Sequence, residues 1–392
     1  MRRLDTAYLD RTTDWLAPWA TKHSKAVSRL VAEPTGLTPS RTHFQRDRDR
    51  IIHARAFRRL AYKTQVYSTD ESDHTRTRLT HTLEVFQIAR GIGRLLGLNE
   101  DLIEAISFAH DLGHTPFGHA GEKALDRVLR KKGELGFLHN LQGLRVVDLL
   151  EDKRNVRQLG GDGLNLTWAV REGILKHTDD RIEGIYESLE PKRPGSLEAQ
   201  VVRVADKIAY TAADWEDADR TGVFGEMIRE GVITNEERLE WLRRFNSNDE
   251  WGYSGIINTL VRDVVATTQE KLRDLRIRSE EDVAALGEPI VAIGEFAPTF
   301  DELKTWLAHN VYRSTKASIS DSVGDRIVES LFEEYMETPE TLPLKVRAAY
   351  ERADGQRCPD DGFPQTPARV VADYIAGMTD RYAIESYQRL FL

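Results

Sequence analysis

The sequence predicts an all-α protein, on three observations. Apolar residues recur at helical spacing from Thr42 onward, alternating runs bounded by turn dipeptides are scarce, and Gly/Pro clusters punctuate the chain at helix-length intervals. Ile51, Phe57 and Leu60 begin the pattern, followed by Leu79, Leu83 and Phe86, and by Leu102, Ile106 and Ala109. Lys63 to Tyr67 reads as the one short extended piece. Breakers fall at Gly113 to Gly118, Gly160 to Gly163, Pro191 to Gly195, Thr338 to Pro343 and Pro359 to Pro367, each a loop between helical blocks. The expected organisation is an N-terminal arm (1–41), a helical core (42–230) and a C-terminal helical section (231–392) packed on it. No internal repeat or low-complexity tract interrupts this plan.

Composition narrows the function classes. With 392 residues, 40% hydrophobic and 30% charged, the chain buries a large core and does not read as disordered. A net charge of -9 disfavours a general nucleic-acid or membrane-surface binder, so any anion site must be local. Cys358 is the single cysteine, which excludes an intrachain disulfide and a cysteine-based zinc site, and fits a reducing cytoplasm. No apolar stretch is long enough to span a bilayer, and no export signal follows Met1. The arginines between Arg41 and Lys63 are interleaved with Phe44 and Phe57, as on a phosphate-binding surface. Asp47 and Asp49 partly neutralise them, and a charge run is more often a solvated helix face.

Chemistry concentrates in His110-Asp111-Leu112-Gly113-His114-Thr115-Pro116-Phe117-Gly118-His119-Ala120-Gly121-Glu122, where histidines and carboxylates crowd around glycines and a proline. A helix from Asp101 carries Ile103, Ile106 and His110 on one face, so His110 points inward. On a helix beginning near Arg78, His81 shares a face with Val85, Ile88 and Ile92. A lone histidine on an apolar face is more often a hydrogen-bonded core residue, but here several need one explanation. Asp206 lies in the apolar stripe Val202, Ala205, Ala209 and Ala213 of a helix read from Leu197 to Asp217. A buried carboxylate there requires a cation or a proton. Two imidazoles and two carboxylates suit a first-row divalent ion and leave positions open for water and phosphate.

The order His81, His110-Asp111, Asp206 matches the pattern that defines the HD superfamily. Phe57-Arg58-Arg59-Leu60, Lys63-Thr64-Gln65-Val66, Thr77 to Val85, the His110 to Glu122 segment, Phe137-Leu138-His139-Asn140 and Ala205 to Tyr210 together resemble the deoxyguanosine triphosphate triphosphohydrolases. Asp373 to Tyr382 is similar to that family's C-terminal signature, whereas Arg220 to Glu302 is not aligned with the family. The resemblance implies an HD-domain helical core with additional C-terminal helices. It implies one divalent ion (Mg, Mn, Fe, Co, Ni or Zn) on His81, His110, Asp111 and Asp206, and cleavage of a dNTP into deoxynucleoside and tripolyphosphate. By the same likeness His119, held by Glu122, supplies the leaving-group proton, or acts as base or nucleophile. Gln65 and Asp214 read the sugar 3'-hydroxyl, Tyr210 packs on the deoxyribose, and Arg78, His114, His139 and Lys207 contact phosphates. Family members assemble as tetramers or hexamers, and some bind allosteric nucleotides or single-stranded DNA. Other HD enzymes, such as 5'-nucleotidases, phosphodiesterases and guanosine tetraphosphate hydrolases, are the alternative. The Glu-Asp that follows the pair in tetraphosphate hydrolases is replaced by Leu112-Gly113 here. A non-catalytic nucleotide or DNA sensor would require a broken site, and no expected site residue is missing.

Overall fold

A computed structural model describes residues 15–22, 28–33, 41–64, 76–220, 222–247, 251–312, 315–357 and 362–392. Among these, helices are connected by loops, and extended pairing is limited to isolated bridges such as Thr64 with Thr77. That bridge takes up the start of the expected extended piece; Gln65, Val66 and Tyr67 lie outside the described residues. The helices that position the site are α1 (His43–Ile52), α2 (Arg78–Leu95), α3 (Glu100–Ala109), α4 (Gly118–Lys131), α5 (His139–Arg145), α6 (Trp168–Lys176) and α7 (Leu197–Arg220). Beyond them come α8 (Gly252–Asp274), α9 (Ala297–Asn310), α10 (Thr315–Glu337), α11 (Pro367–Ala376) and α12 (Asp380–Phe391).

Local chemistry sets the helix starts. Thr42 and Gln45 form a capping box on α1, Thr77 and Thr80 form another on α2, and the Asn99 side chain accepts from Leu102 N at the start of α3. Helix α2 lies against α3 and α7. The face it buries carries His81, Val85, Ile88, Ala89 and Ile92. Of the two apolar sets read from its sequence, the other lies at the rim: Leu79 and Phe86 are partly buried and Leu83 is 47% exposed. The two sets sit on different faces, and α2 turns the one bearing His81 toward its neighbours.

The principal hydrophobic cluster runs from Ala20 through α1–α3 and α5–α9 to Val311 and takes in Phe363. A second cluster joins Ala124, Leu125, Val128 and Leu129 of α4 to Val328, Leu331 and Phe332 of α10 and to Val371 and Ile375 of α11. The two are tied by a buried ion pair, Arg145 Nη2 to Asp373 Oδ2 at 2.6 Å. Breaking such a pair costs about 3–5 kcal/mol because the remaining charge is stranded.

The arginine-rich stretch is engaged mainly with its own chain. Arg46 and Arg50 pair with Glu33, Arg48 with Asp49 and Glu104, and Arg41 with Asp49. Asp47 is fully buried and holds Arg29 and Thr167. Among the described residues no helix is long and apolar enough to cross a membrane.

Candidate metal centre

Three helix segments bring the core of the site together. His81 sits in the first turn of α2, His110 and Asp111 follow directly on the end of α3, and Asp206 lies midway along α7. His81 Nε2 is 2.9 Å from Asp206 Oδ1 and 4.0 Å from Asp111 Oδ2. His110 Nε2 is 3.3 Å from Asp111 Oδ1 and 3.8 Å from Asp206 Oδ1. His81, His110 and Asp111 each offer one ligand atom, all within 4.8 Å of one another.

Tautomers decide what these atoms face. His110 Nδ1 lies 2.7 Å from Ser107 O, which can only accept, so Nδ1 carries a proton and Nε2 is the nitrogen whose lone pair a ligand role would use. Nε2 is buried and lacks a hydrogen-bond partner, while carboxylate oxygens of Asp111 and Asp206 approach it. A lone pair converging with carboxylate oxygens is a donor set for a divalent cation. The residues present therefore fit the ion. Burial alone would raise the Asp111 carboxyl, but His110, His114 and Arg78 hold it well below the usual range. Burial acts likewise on Asp206, and its bond to His81 reverses the shift. Asp206 is one-fifth exposed, so the arrangement opens to solvent on the α7 side.

A second layer surrounds this core. Arg78 Nη1 donates to Asp111 Oδ2 at 2.9 Å, and its buried Nε has no partner. His114 Nε2 is 3.1 Å from Asp111 Oδ1, and the His114 ring stacks on His139 at 3.9 Å between centroids. Burial and then Arg78 push the His114 pKa well down. Glu122, on the second turn of α4, accepts from the His139 backbone N–H at 2.8 Å and from Nδ1 at 3.0 Å. Its other oxygen is 3.5 Å from His119 Nδ1. Burial would lower the His139 pKa, but Glu122 raises it overall.

The sequence-based pairing of His119 with Glu122 is thus present as a looser approach, and Glu122 is shared with His139. The His119 side chain is 76% exposed and faces outward from the first turn of α4, whereas His139 is inside. On α7, Tyr210 and Asp214 follow Asp206 at one-turn intervals, as the spacing requires. Asp214 is buried, accepts from the Tyr312 hydroxyl, and is pushed up to about 7, chiefly by burial. The Tyr210 phenol is likewise raised, by burial and then by Asp206 and Asp214. Lys207 is half-buried, its pKa lowered by burial and then by Arg203. Gln65 falls outside the described residues.

Two residues escaped the sequence reading. His177, just beyond α6, places Nε2 3.1 Å from His139 Nε2, and its Nδ1 donates to Ile174 O at 2.7 Å. Burial, His139 and His110 depress its pKa to about 3. The spacing Val170, Ile174, His177 on one helix face carried the signal. Tyr312, after α9, had none, because only the fold brings it to Asp214, 98 residues earlier.

Comparison with known proteins identifies the family. An HD domain model matches residues 78–211, which contain all four proposed ligands, and a phosphohydrolase-associated domain model matches residues 292–389. A "Deoxyguanosinetriphosphate triphosphohydrolase-like protein" of Ralstonia nicotianae is 44% identical over 397 residues, covering 96% of this chain and 94% of the relative. Proteins of the same description are 40% identical in Geobacter metallireducens, over 96% of this chain and 95% of theirs, and 42% identical in Bordetella pertussis, over 96% of each. The chain is an HD-domain phosphohydrolase and belongs to the deoxyguanosinetriphosphate triphosphohydrolase-like family.

Proposed function

We propose that this chain is a divalent-metal-dependent dNTP triphosphohydrolase, releasing a deoxynucleoside and inorganic tripolyphosphate. The observation that carries the reading is the His110 Nε2 lone pair meeting Asp111 and Asp206 beside the imidazoles gathered around Glu122. His81, His110, Asp111 and Asp206 would hold the ion, which supplies Lewis acidity toward a phosphoryl oxygen and an acidified water. Arg78 would present positive charge to the triphosphate, with His114 and the His139 ring stacked on it close by. Arg78 Nε is a buried donor awaiting an acceptor such as a phosphate oxygen.

The leaving 5'-oxygen needs a proton. His119 is the acid at hand, solvent-accessible and able to reload, with Glu122 orienting it and also steadying His139. Along α7, Tyr210 would pack on the sugar, Asp214 would accept its 3'-hydroxyl together with Gln65, and Lys207 would reach the phosphates. Cytoplasmic location, homo-oligomeric assembly as tetramer or hexamer, and control by a second dNTP or single-stranded DNA follow from the family likeness alone.

The test is a screen of the four dNTPs and the ribonucleotides, singly and in pairs, with each divalent ion supplied and products separated by ion-exchange chromatography. Tripolyphosphate is expected as the phosphorus product. Orthophosphate or pyrophosphate as the primary product would overturn the reading.

A further inference from the structure

The loop between Asp111 and α4 is held from outside the HD domain. Phe117, the residue before α4, has φ 60°, a left-handed conformation that a bulky side chain adopts only when its surroundings impose it. Contacts made by Asp380, Lys63 and Gly324 do so. Phe117 N–H donates to Asp380 Oδ1 at 3.0 Å, and Asp380 is the first residue of α12. Asp380 Oδ2 also accepts from Thr64 N at 2.9 Å and from Thr64 Oγ1 at 2.7 Å. Lys63 is buried and donates from Nζ to the carbonyls of His114 and of Ala376, the latter at 2.8 Å. Gly324 of α10 lies directly against Phe117, where an added Cβ would stand 2.6 Å from that of Phe117.

We propose that Asp380, together with Lys63, is a positioning residue. It fixes the loop bearing His114 and the start of the helix bearing His119 and Glu122, which makes the C-terminal section a working part of the active site. The two groups grip opposite ends of one short span: Lys63 holds the His114 carbonyl, and Asp380 holds the Phe117 amide three residues later. Because Phe117 precedes the first turn of α4, its orientation sets the positions of His119 and Glu122. Each hold runs to the C-terminal section, through Ala376 and Asp380. None of these contacts is made to His81, His110, Asp111 or Asp206 themselves, and the loop reaches the ligand set only through the bond of His114 to Asp111, so ion content and loop position are measured separately.

This inference rests on the functional reading for its kinetic arm and is independent of it in the other. Asp380→Asn and Lys63→Met are compared with wild type and with Arg127→Ala, which severs surface pairs between α4 and α10 to Asp325 and Glu329. Amide hydrogen exchange is followed over residues 111–121 in the full chain, alongside melting temperature, Mn²⁺ content and dNTP kinetics. Displacing reacting groups by about 1 Å costs about 100-fold in rate. For Asp380→Asn and Lys63→Met we expect faster exchange in that segment, kcat down by about 10- to 100-fold, and KM and Mn²⁺ content near wild type. Arg127→Ala should leave exchange and kcat unchanged. Unchanged exchange in both loop variants, or kcat losses no larger than those of Arg127→Ala at equal melting temperature, would overturn the proposal. Absence of dNTP turnover in wild type would sink the proposed function instead, leaving the exchange comparison to decide this one.

Discussion

His81 Nε2 and Asp206 Oδ1 stand 2.9 Å apart, although 125 residues separate them in the chain. One belongs to the first turn of α2 and the other to the middle of α7, two helices packed along each other. Burial opposes charge on both groups, yet the His81 pKa is raised and the Asp206 pKa lowered by their mutual bond. A shared proton satisfies this pair, and the same two groups would help hold a divalent ion.

Replacing either residue should therefore be felt first in ion binding. We expect His81→Ala and Asp206→Ala to weaken Mn²⁺ binding by about 100-fold or more. Elemental analysis after dialysis against Mn²⁺ of known concentration, with calorimetric titration, gives the answer. Wild-type affinity in both variants would remove them from the ligand set.

Glu122 should matter to turnover without mattering to the ion. Its carboxylate holds the His139 pKa up and approaches His119, but touches no proposed ligand. Glu122→Gln should lower kcat by about 100- to 10,000-fold, the usual range for acid–base assistance, with ion content unchanged. NMR titration of the imidazoles should show the His139 pKa falling in the variant. An unmoved His139 pKa would contradict the assigned pairing.

His177 makes the chelator-treated protein sensitive to acid. Its pKa falls from the usual 6.5 to about 3 on folding, so between those values the unfolded chain binds a proton that the native chain refuses. Stability from this group is present above pH 6.5 and is lost as pH falls toward 3, at about 1.4 kcal/mol per pH unit. His114, also depressed, acts in the same direction. His177→Asn should flatten the fall in unfolding free energy between pH 7 and pH 5 by about 2 kcal/mol, measured by urea titration at each pH. An unchanged pH slope would mean that the native His177 takes up its proton normally.

Asp214 works with the opposite sign. Its carboxyl is raised to about 7, so the native chain keeps a proton that the unfolded chain has released above about pH 4. The stability this provides is full below that value and is lost as pH rises through 7. Relative to wild type, Asp214→Asn should therefore gain thermal stability from pH 5 to pH 8. Tyr312→Phe removes the hydroxyl that bonds Asp214, and should raise KM for a dNTP by about 10-fold. Equal KM values for this variant and wild type would place the pair outside the sugar pocket.

Periodicity and local motifs were enough to determine much of this molecule. Helix starts at Arg78 and Gly118, the inward face of His81 and His110, and the placing of Asp206, Tyr210 and Asp214 one turn apart follow from spacing along single helices. Such features depend on covalent geometry that the chain carries everywhere. Tertiary structure decided which of two apolar faces α2 buries, sending Leu83 outward, and turned Glu122 to His139 as well as to His119. It alone brought His177 to His139, Tyr312 to Asp214 and Asp380 to Phe117, across 38, 98 and 263 residues. Contacts between distant segments depend on how whole helices pack, a sum over many side chains that no local pattern contains.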